Sequence, residues 1–203
     1  IRATNELTGL EWTTLSDEAG RFSLPRLPVG NYRVRITKEG FRQFVSEAFR
    51  LDADQSRQVG AVLDVGSTAE SLTVTGTVAQ VETVTGTIRE VVDERRITEL
   101  PLNGRNPVQL LLLVPGVVPG PASGSLSRNN GVAVNGARAT GTNYLLDGGD
   151  NNDPQEGVSA VTPNPDALEE FSVLTNNFSA EYGRNSGAVV NAVTKSGTNQ
   201  FHG

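Results

Sequence analysis

No cysteine occurs among the 203 residues. Disulfides, thiolate metal sites and cysteine nucleophiles are therefore excluded. Methionine is absent too, even at position 1, and Ile1-Arg2-Ala3-Thr4 reads neither as a start site nor as a signal peptide. We therefore expect an internal piece of a longer protein. Long apolar runs are missing: the longest, Leu110 to Val114, falls far short of the roughly 20 residues of a spanning helix. Histidine occurs once, as His202, so a Ser-His-Asp arrangement would hang on a residue next to the terminus. No His/Glu zinc-ligand pattern is present. Glycines between Gly131 and Gly141 are not followed by Gly-Lys-Ser or Gly-Lys-Thr, so no phosphate-binding loop forms there. The net charge of −6 lacks the basic excess that phosphate neutralisation needs. The expectation is no enzyme, no catalytic residues, no cofactor, no resident metal and no nucleic-acid partner.

What is present is enough for packed domains: 36% of the residues are hydrophobic, too many for a wholly disordered chain. Residues 1–65 read as strands and turns. Asn31-Tyr32-Arg33-Val34-Arg35-Ile36-Thr37 alternates cleanly, with Tyr32, Val34 and Ile36 on one face and Arg33, Arg35 and Thr37 on the other. That is the pattern of a half-buried antiparallel strand. Further strands are expected at Arg21–Leu24 and Gln58–Val65, with turns at 14–20 and 25–30. Together they indicate a small β-sandwich. About 65 residues is near the lower limit for a self-sufficient core, so a strand upstream of Ile1 is expected.

Residues 66–90 are rich in Val, Thr, Gly and Glu and lack aromatics. They read as an extended linker. Within it, Glu70-Ser71-Leu72-Thr73-Val74-Thr75-Gly76 is a short extended peptide with Leu72 and Val74 on one side. Such a peptide can add as a strand to a partner's sheet edge; it can equally be plain linker or the last strand of the sandwich.

From residue 91 the texture is α+β. Asp93–Leu100 is helix-like, with acids early and Pro101 after it. Asn106 can cap a second helix with Pro107 at its first position, running to Leu113. Residues 119–131 read as loop. Short strands are expected at Gly131–Gly136 and Asn143–Gly148, ending in Asn135-Gly136 and Asp147-Gly148 turns. A short helix at Pro165–Glu170, a strand at Phe171–Leu174 and a last strand at Gly187–Thr194 complete the region. Asp147-Gly148-Gly149-Asp150-Asn151-Asn152-Asp153 has the oxygen-rich texture of a calcium loop. With Asp147 in first place, however, Gly149 stands third and Val158 twelfth, so the EF-hand pattern fails and a polar turn is expected.

Two ordered sets of residues resemble known families. Asp17, Gly20, Phe22, Leu27, Pro28, Gly30, Tyr32, Val34, Ile36, Gly40 and Phe41 resemble the carboxypeptidase regulatory-like domain, a transthyretin-like β-sandwich, and the resemblance implies that its first strand lies upstream of Ile1. The second region resembles the plug of TonB-dependent outer-membrane receptors. The resemblance rests on Leu113-Val114-Pro115-Gly116-Val117, Asn135-Gly136, Leu146-Asp147-Gly148, Leu168–Leu174, Glu181-Tyr182-Gly183 and Ser186-Gly187 through Lys195. Two departures, Thr175-Asn176-Asn177 for the usual Arg-Gly-Pro and Glu170-Phe171-Ser172 for Arg-Ile-Glu, resemble the Oar-like branch, whose members pair the same two domains in this order.

The resemblance implies a fold of a small sandwich (1–65), a linker (66–90), an α+β plug of short strands, short helices and long loops (91–197), and the start of a first barrel strand (198–203). By the same resemblance, Glu70 to Gly76 stands where such receptors carry the TonB box, which pairs as a strand with TonB and its inner-membrane energising complex. The implied setting is the outer membrane of a Gram-negative-type bacterium, with this segment in the periplasm and barrel lumen. The plug would gate uptake of an unidentified ligand through the protein's own β-barrel, and the loops 119–131 and 147–157 are candidate ligand contacts. The competing reading is a secreted or surface adhesin-like binding module.

Overall fold

The computed structural model describes residues 1–66, 71–72, 86–120, 131–155, 157–183 and 185–197. The chain divides into two compact units, the second spanning Gly86–Ser196.

The first unit is built on one sheet. Its strands are β1 (Arg2–Asn5), β2 (Glu11–Thr13), β3 (Gly30–Ile36), β4 (Gln43–Val45), β5 (Phe49–Leu51) and β6 (Ser71–Leu72). The order is β2-β1-β3-β4-β6, with β5 also pairing β3. The alternation read at 31–37 holds: Tyr32, Val34 and Ile36 are buried, whereas Arg33 is half-buried and Arg35 exposed. Around them Ala3, Phe44 and Leu51 complete a core onto which Trp12, Phe22, Leu24, Leu27, Val59 and Leu63 pack. Trp12 meets Tyr32 edge-on with ring centroids 5.7 Å apart, the arrangement that aromatic quadrupoles favour.

Two expected strands are absent as ladders. Residues 21–24 carry no strand pairing, and of 58–65 only Val65 does, through a bridge to Phe41. Phe22 and Leu24 of the first stretch and Val59 and Leu63 of the second pack against the core. Val62 is 80% exposed while Leu63 beside it packs against the core. Within the stretch read as linker, Ser71–Leu72 form β6 in the first unit's sheet.

The second unit contains β7 (Ile88–Asp93), α1 (Glu94–Glu99), β8 (Val117–Pro119), β9 (Val132–Val134), β10 (Asn143–Leu146), β11 (Gly149–Asp150), β12 (Leu168–Asn176) and β13 (Val189–Thr194). Five of these strands form a sheet in the order β11-β10-β13-β12-β7, and β8-β9 make a separate ribbon. Strands β10 and β13 are parallel, and the other pairs in that sheet are antiparallel. The boundary expected at residue 91 falls inside β7, because β7 pairs with β12 along its whole length, from Asp93 opposite Glu170 to Ile88 opposite Asn176. A partner some 80 positions away leaves no local trace in composition.

Helix α1 begins as its sequence requires, with the Asp93 side chain accepting from the Arg96 amide at 2.9 Å. The Asn106 side chain likewise accepts from the Val108 amide at 3.0 Å, with Pro107 next in line, but the element from Pro107 to Leu113 winds as a 3₁₀ helix. The helix expected at Pro165–Glu170 shortens to Pro165–Ala167, since Leu168 already opens the nine-residue β12. Ile97, Leu111, Val134, Leu168 and Val173 are at most 1% exposed at the centre of the second core. Burying each such side chain contributes roughly 1.5–3 kcal/mol. Among the described residues no helix is long and apolar enough to cross a membrane.

Candidate functional site

The sequence-selected residues of the second unit fall at places where loops are tied to the sheet. At Gly116 the chain turns from the 3₁₀ helix into β8 with φ of +84°. A side chain there would strike the Asn135 side-chain oxygen. The Asn135 amide donates to the Gly116 carbonyl at 2.9 Å, and its side-chain amide donates to the Thr175 carbonyl at 3.0 Å. One asparagine thus joins the Pro115-Gly116 corner to the end of β12. Asn135 and Gly136 both have positive φ, 52° and 78°, as a type I′ turn needs.

The Asp147-Gly148 pair repeats this conformation, with φ of 51° and 77°, and links β10 to β11. The Asp147 carboxylate accepts from the Thr194 amide at 2.8 Å and from its hydroxyl at 2.9 Å. The Gly148 amide donates to the Asn191 side chain at 3.1 Å. Asp150 accepts from the Asn152 amide and side chain, and Asp153 from the Gln155 amide. The acidic loop is therefore a set of self-capped turns, and among the described residues no group of three or more His, Cys, Asp or Glu is placed to hold a metal ion.

Tyr182 closes a short 3₁₀ turn, and its carbonyl accepts from the Asn143 side chain at 2.6 Å. Gly183, with φ of +78°, follows. Gly187 lies where its amide donates to the Gly141 carbonyl at 3.0 Å. A Cβ there would come within 3.2 Å of Ala137 and 3.3 Å of the Gly141 carbonyl oxygen. Lys195 pairs with Glu94 at 2.7 Å on the surface, and its amide donates to the Ala167 carbonyl.

Composition alone did not single out the asparagines as clamps. Asn151 donates to the Ser159 hydroxyl at 2.9 Å and the Val161 carbonyl at 2.8 Å, and accepts from the Val161 amide at 3.0 Å. Asn152 accepts from the Tyr144 amide at 2.9 Å and donates to the Asn143 side chain at 2.6 Å. Asn151 and Ser159 are buried. The 147–157 loop, expected to offer ligand contacts, thus directs these side chains into the protein; Glu156 lies outside the described residues. The density of Asn between 143 and 152 was the available signal. Beneath this loop the Tyr144 hydroxyl accepts from the Val132 amide at 3.2 Å, and burial raises its pKa above the ordinary tyrosine value.

Of the box-like segment Glu70–Gly76, Ser71 and Leu72 are described, as strand β6; Glu70 and Thr73, Val74, Thr75 and Gly76 lie outside the described residues. So do His202, the rest of 198–203, and the loop 121–130.

The geometry is that of a sheet to which loops are fastened by a few polar clamps, preceded by a separate β unit. Residues 1–64 match the carboxypeptidase regulatory-like domain, and residues 80–190 match the TonB-dependent receptor plug domain. The plug match covers more than half of the chain, which belongs to the TonB-dependent receptor plug family, the plug region of outer-membrane transporters. This is a receptor and transporter family and not an enzyme family.

Across its whole length the chain is 29% identical to the TonB-dependent transporter Oar of Myxococcus xanthus, over 211 residues. It spans 19% of that relative. The siderophore receptor PirA from Acinetobacter baumannii is 27% identical with a TM-score of 0.46, covering 59% of this chain and 19% of its own. The outer membrane transporter YddB from Escherichia coli is 22% identical with a TM-score of 0.46, covering 53% and 17%.

Proposed function

We propose that this chain is the periplasmic N-terminal region and plug of a TonB-dependent outer-membrane transporter, gating energised uptake of a ligand through a β-barrel. The observation that supports this reading most is the order of the two matches, a carboxypeptidase regulatory-like domain at 1–64 followed by a plug at 80–190, within a chain similar throughout to a TonB-dependent transporter. The polar clamps suit a gate. Each joins two loops or a loop and a strand by a few hydrogen bonds, and each such bond contributes about 1 kcal/mol net. A pull on the chain can undo them singly without unfolding the buried core.

The handle for that pull is Glu70–Gly76, acting as the TonB box. It lies between the two matched domains, and strand addition to a sheet of TonB supplies affinity through backbone hydrogen bonds. The working location is the outer membrane, with the sandwich in the periplasm and the plug in the barrel lumen. A synthetic peptide covering Glu70–Gly76 tests the box assignment: it should bind a TonB C-terminal domain in a calorimetric titration. The same peptide with proline for Leu72 should bind more weakly, because proline removes a donor and fixes φ. A wild-type peptide that does not bind defeats the assignment.

A further inference from the structure

Two Asn-Gly pairs of the second unit, Asn103-Gly104 and Asn135-Gly136, lie wholly among the described residues; Asn130 of a third lies outside them. Both described asparagines are exposed, so access to water does not separate them. Their hydrogen bonds do. The Asn135 side-chain amide donates to the Thr175 carbonyl at 3.0 Å, and its main-chain amide donates to the Gly116 carbonyl at 2.9 Å. Asn103 opens a short 3₁₀ turn, Asn103–Arg105. Its main-chain amide donates to the Gln109 side chain at 3.1 Å, but among the described residues its own side chain makes no hydrogen bond. The Asn103 carbonyl accepts from the Asn106 amide at 3.4 Å, long for such a bond. The Gly104 amide has no acceptor among the described residues, and the space where a Cβ would stand on Gly104 is open to 4 Å.

We propose that Asn103 is a site of self-modification, at which the Gly104 amide nitrogen converts the asparagine into an aspartyl or isoaspartyl residue. The nitrogen gives up its proton to solvent and attacks the side-chain carbonyl carbon of Asn103. The new N–C bond closes a five-membered succinimide ring, the bond from that carbon to the side-chain nitrogen breaks, and ammonia leaves. Water then opens the ring at one of its two carbonyls, giving aspartate or, through the main-chain carbonyl, isoaspartate. One water is consumed, one ammonia is released, and nothing is oxidised or reduced. Ring closure turns the asparagine away from its folded torsions. At Asn135 that breaks the bond to Thr175 and distorts the turn; at Asn103 it disturbs a long bond to Asn106. Each good bond is worth about 1 kcal/mol net, so the fold restrains Asn135 and leaves Asn103 reactive. The product carboxylate stands two positions before Arg105, whose guanidinium ties this turn to Asn164 and Asp166. Isoaspartate also lengthens the main chain of the turn by one methylene.

Ageing the 203-residue chain in mildly alkaline buffer, with and without denaturant, tests the site. The tryptic peptides Ile97–Arg105 and Asn129–Arg138 report the two asparagines through the mass gained when an amide becomes an acid, and fragmentation separates Asn135 from Asn129 and Asn130. In the folded chain Asn103 should convert at least about tenfold faster than Asn135, a barrier difference of about 1.4 kcal/mol. In denaturant the two should convert at similar rates. An isoaspartyl methyltransferase should label Ile97–Arg105 from the aged folded chain, and Asn103→Gln should abolish that label. Equal rates in the folded chain, an Asn103 that stays intact there, or a preference for Asn103 that persists undiminished in denaturant overturns the proposal.

Discussion

Asp147 and Thr194 are joined by two hydrogen bonds, from the amide and the hydroxyl of Thr194 to the two carboxylate oxygens of Asp147. The pair closes the end of the parallel β10–β13 ladder, where the next backbone bond runs from the Asp147 amide to the Ala192 carbonyl at 2.9 Å. Asp147→Ala should loosen this end by about 1–2 kcal/mol. Asp147→Asn should cost less, since asparagine tolerates the positive φ of 51° and keeps one acceptor. Amide hydrogen exchange at Thr194 reads the effect: faster in the alanine variant, intermediate in the asparagine one. Unchanged exchange in the alanine variant would remove Asp147 as a clamp.

Asn135 makes two separable contributions, a turn conformation and a side-chain bond to the Thr175 carbonyl. Asn135→Gly retains the first and loses the second; Asn135→Ala loses both. Thermal unfolding of the second unit's transition should therefore rank wild type above the glycine variant and the glycine variant above alanine. The total loss in the alanine variant should be about 1–2 kcal/mol. Equal stability of the glycine and alanine variants would mean that the backbone conformation contributes nothing.

Burial raises the pKa of Tyr144 above its ordinary value of 10.0. A phenol with a raised folded pKa stabilises the fold fully below the unfolded pKa, and that contribution is lost as pH rises through the folded pKa. The second unit should therefore lose stability above about pH 10. Tyr144→Phe should reduce that alkaline loss while lowering stability at neutral pH by about 1–3 kcal/mol, because the buried Val132 amide loses its acceptor. Unfolding curves for both proteins at pH 7 and at pH 10.5 test the two effects separately.

Features written into neighbouring residues were legible in the sequence. The Tyr32-Val34-Ile36 face, the Asn106-Pro107 helix start and the Asn135-Gly136 and Asp147-Gly148 turns each follow from side-chain alternation, capping or positive φ. Features set by distant partners were not. Residues 88–90 of β7 read as linker because β12 supplies their pairing, and Gln58–Val65 reads as a strand although only Val65 forms a β-bridge. Within the candidate site, glycines such as Gly116 and Gly187 mark close approaches that a turn-rich composition hints at without saying to what. The inward roles of Asn151 and Asn152 depend on Ser159, Val161 and Tyr144, and no local pattern connects them.

The proposed coupling of this chain to TonB is tested by titrating the 203-residue chain with a TonB C-terminal domain. The wild-type chain should bind saturably, and Leu72→Pro and Val74→Pro should each lose at least about tenfold in affinity, about 1.4 kcal/mol. Asp147→Ala, which alters the plug but leaves the box intact, should bind with unchanged affinity. Absence of binding by the wild-type chain, or binding that the two proline variants leave untouched, would contradict the proposed coupling.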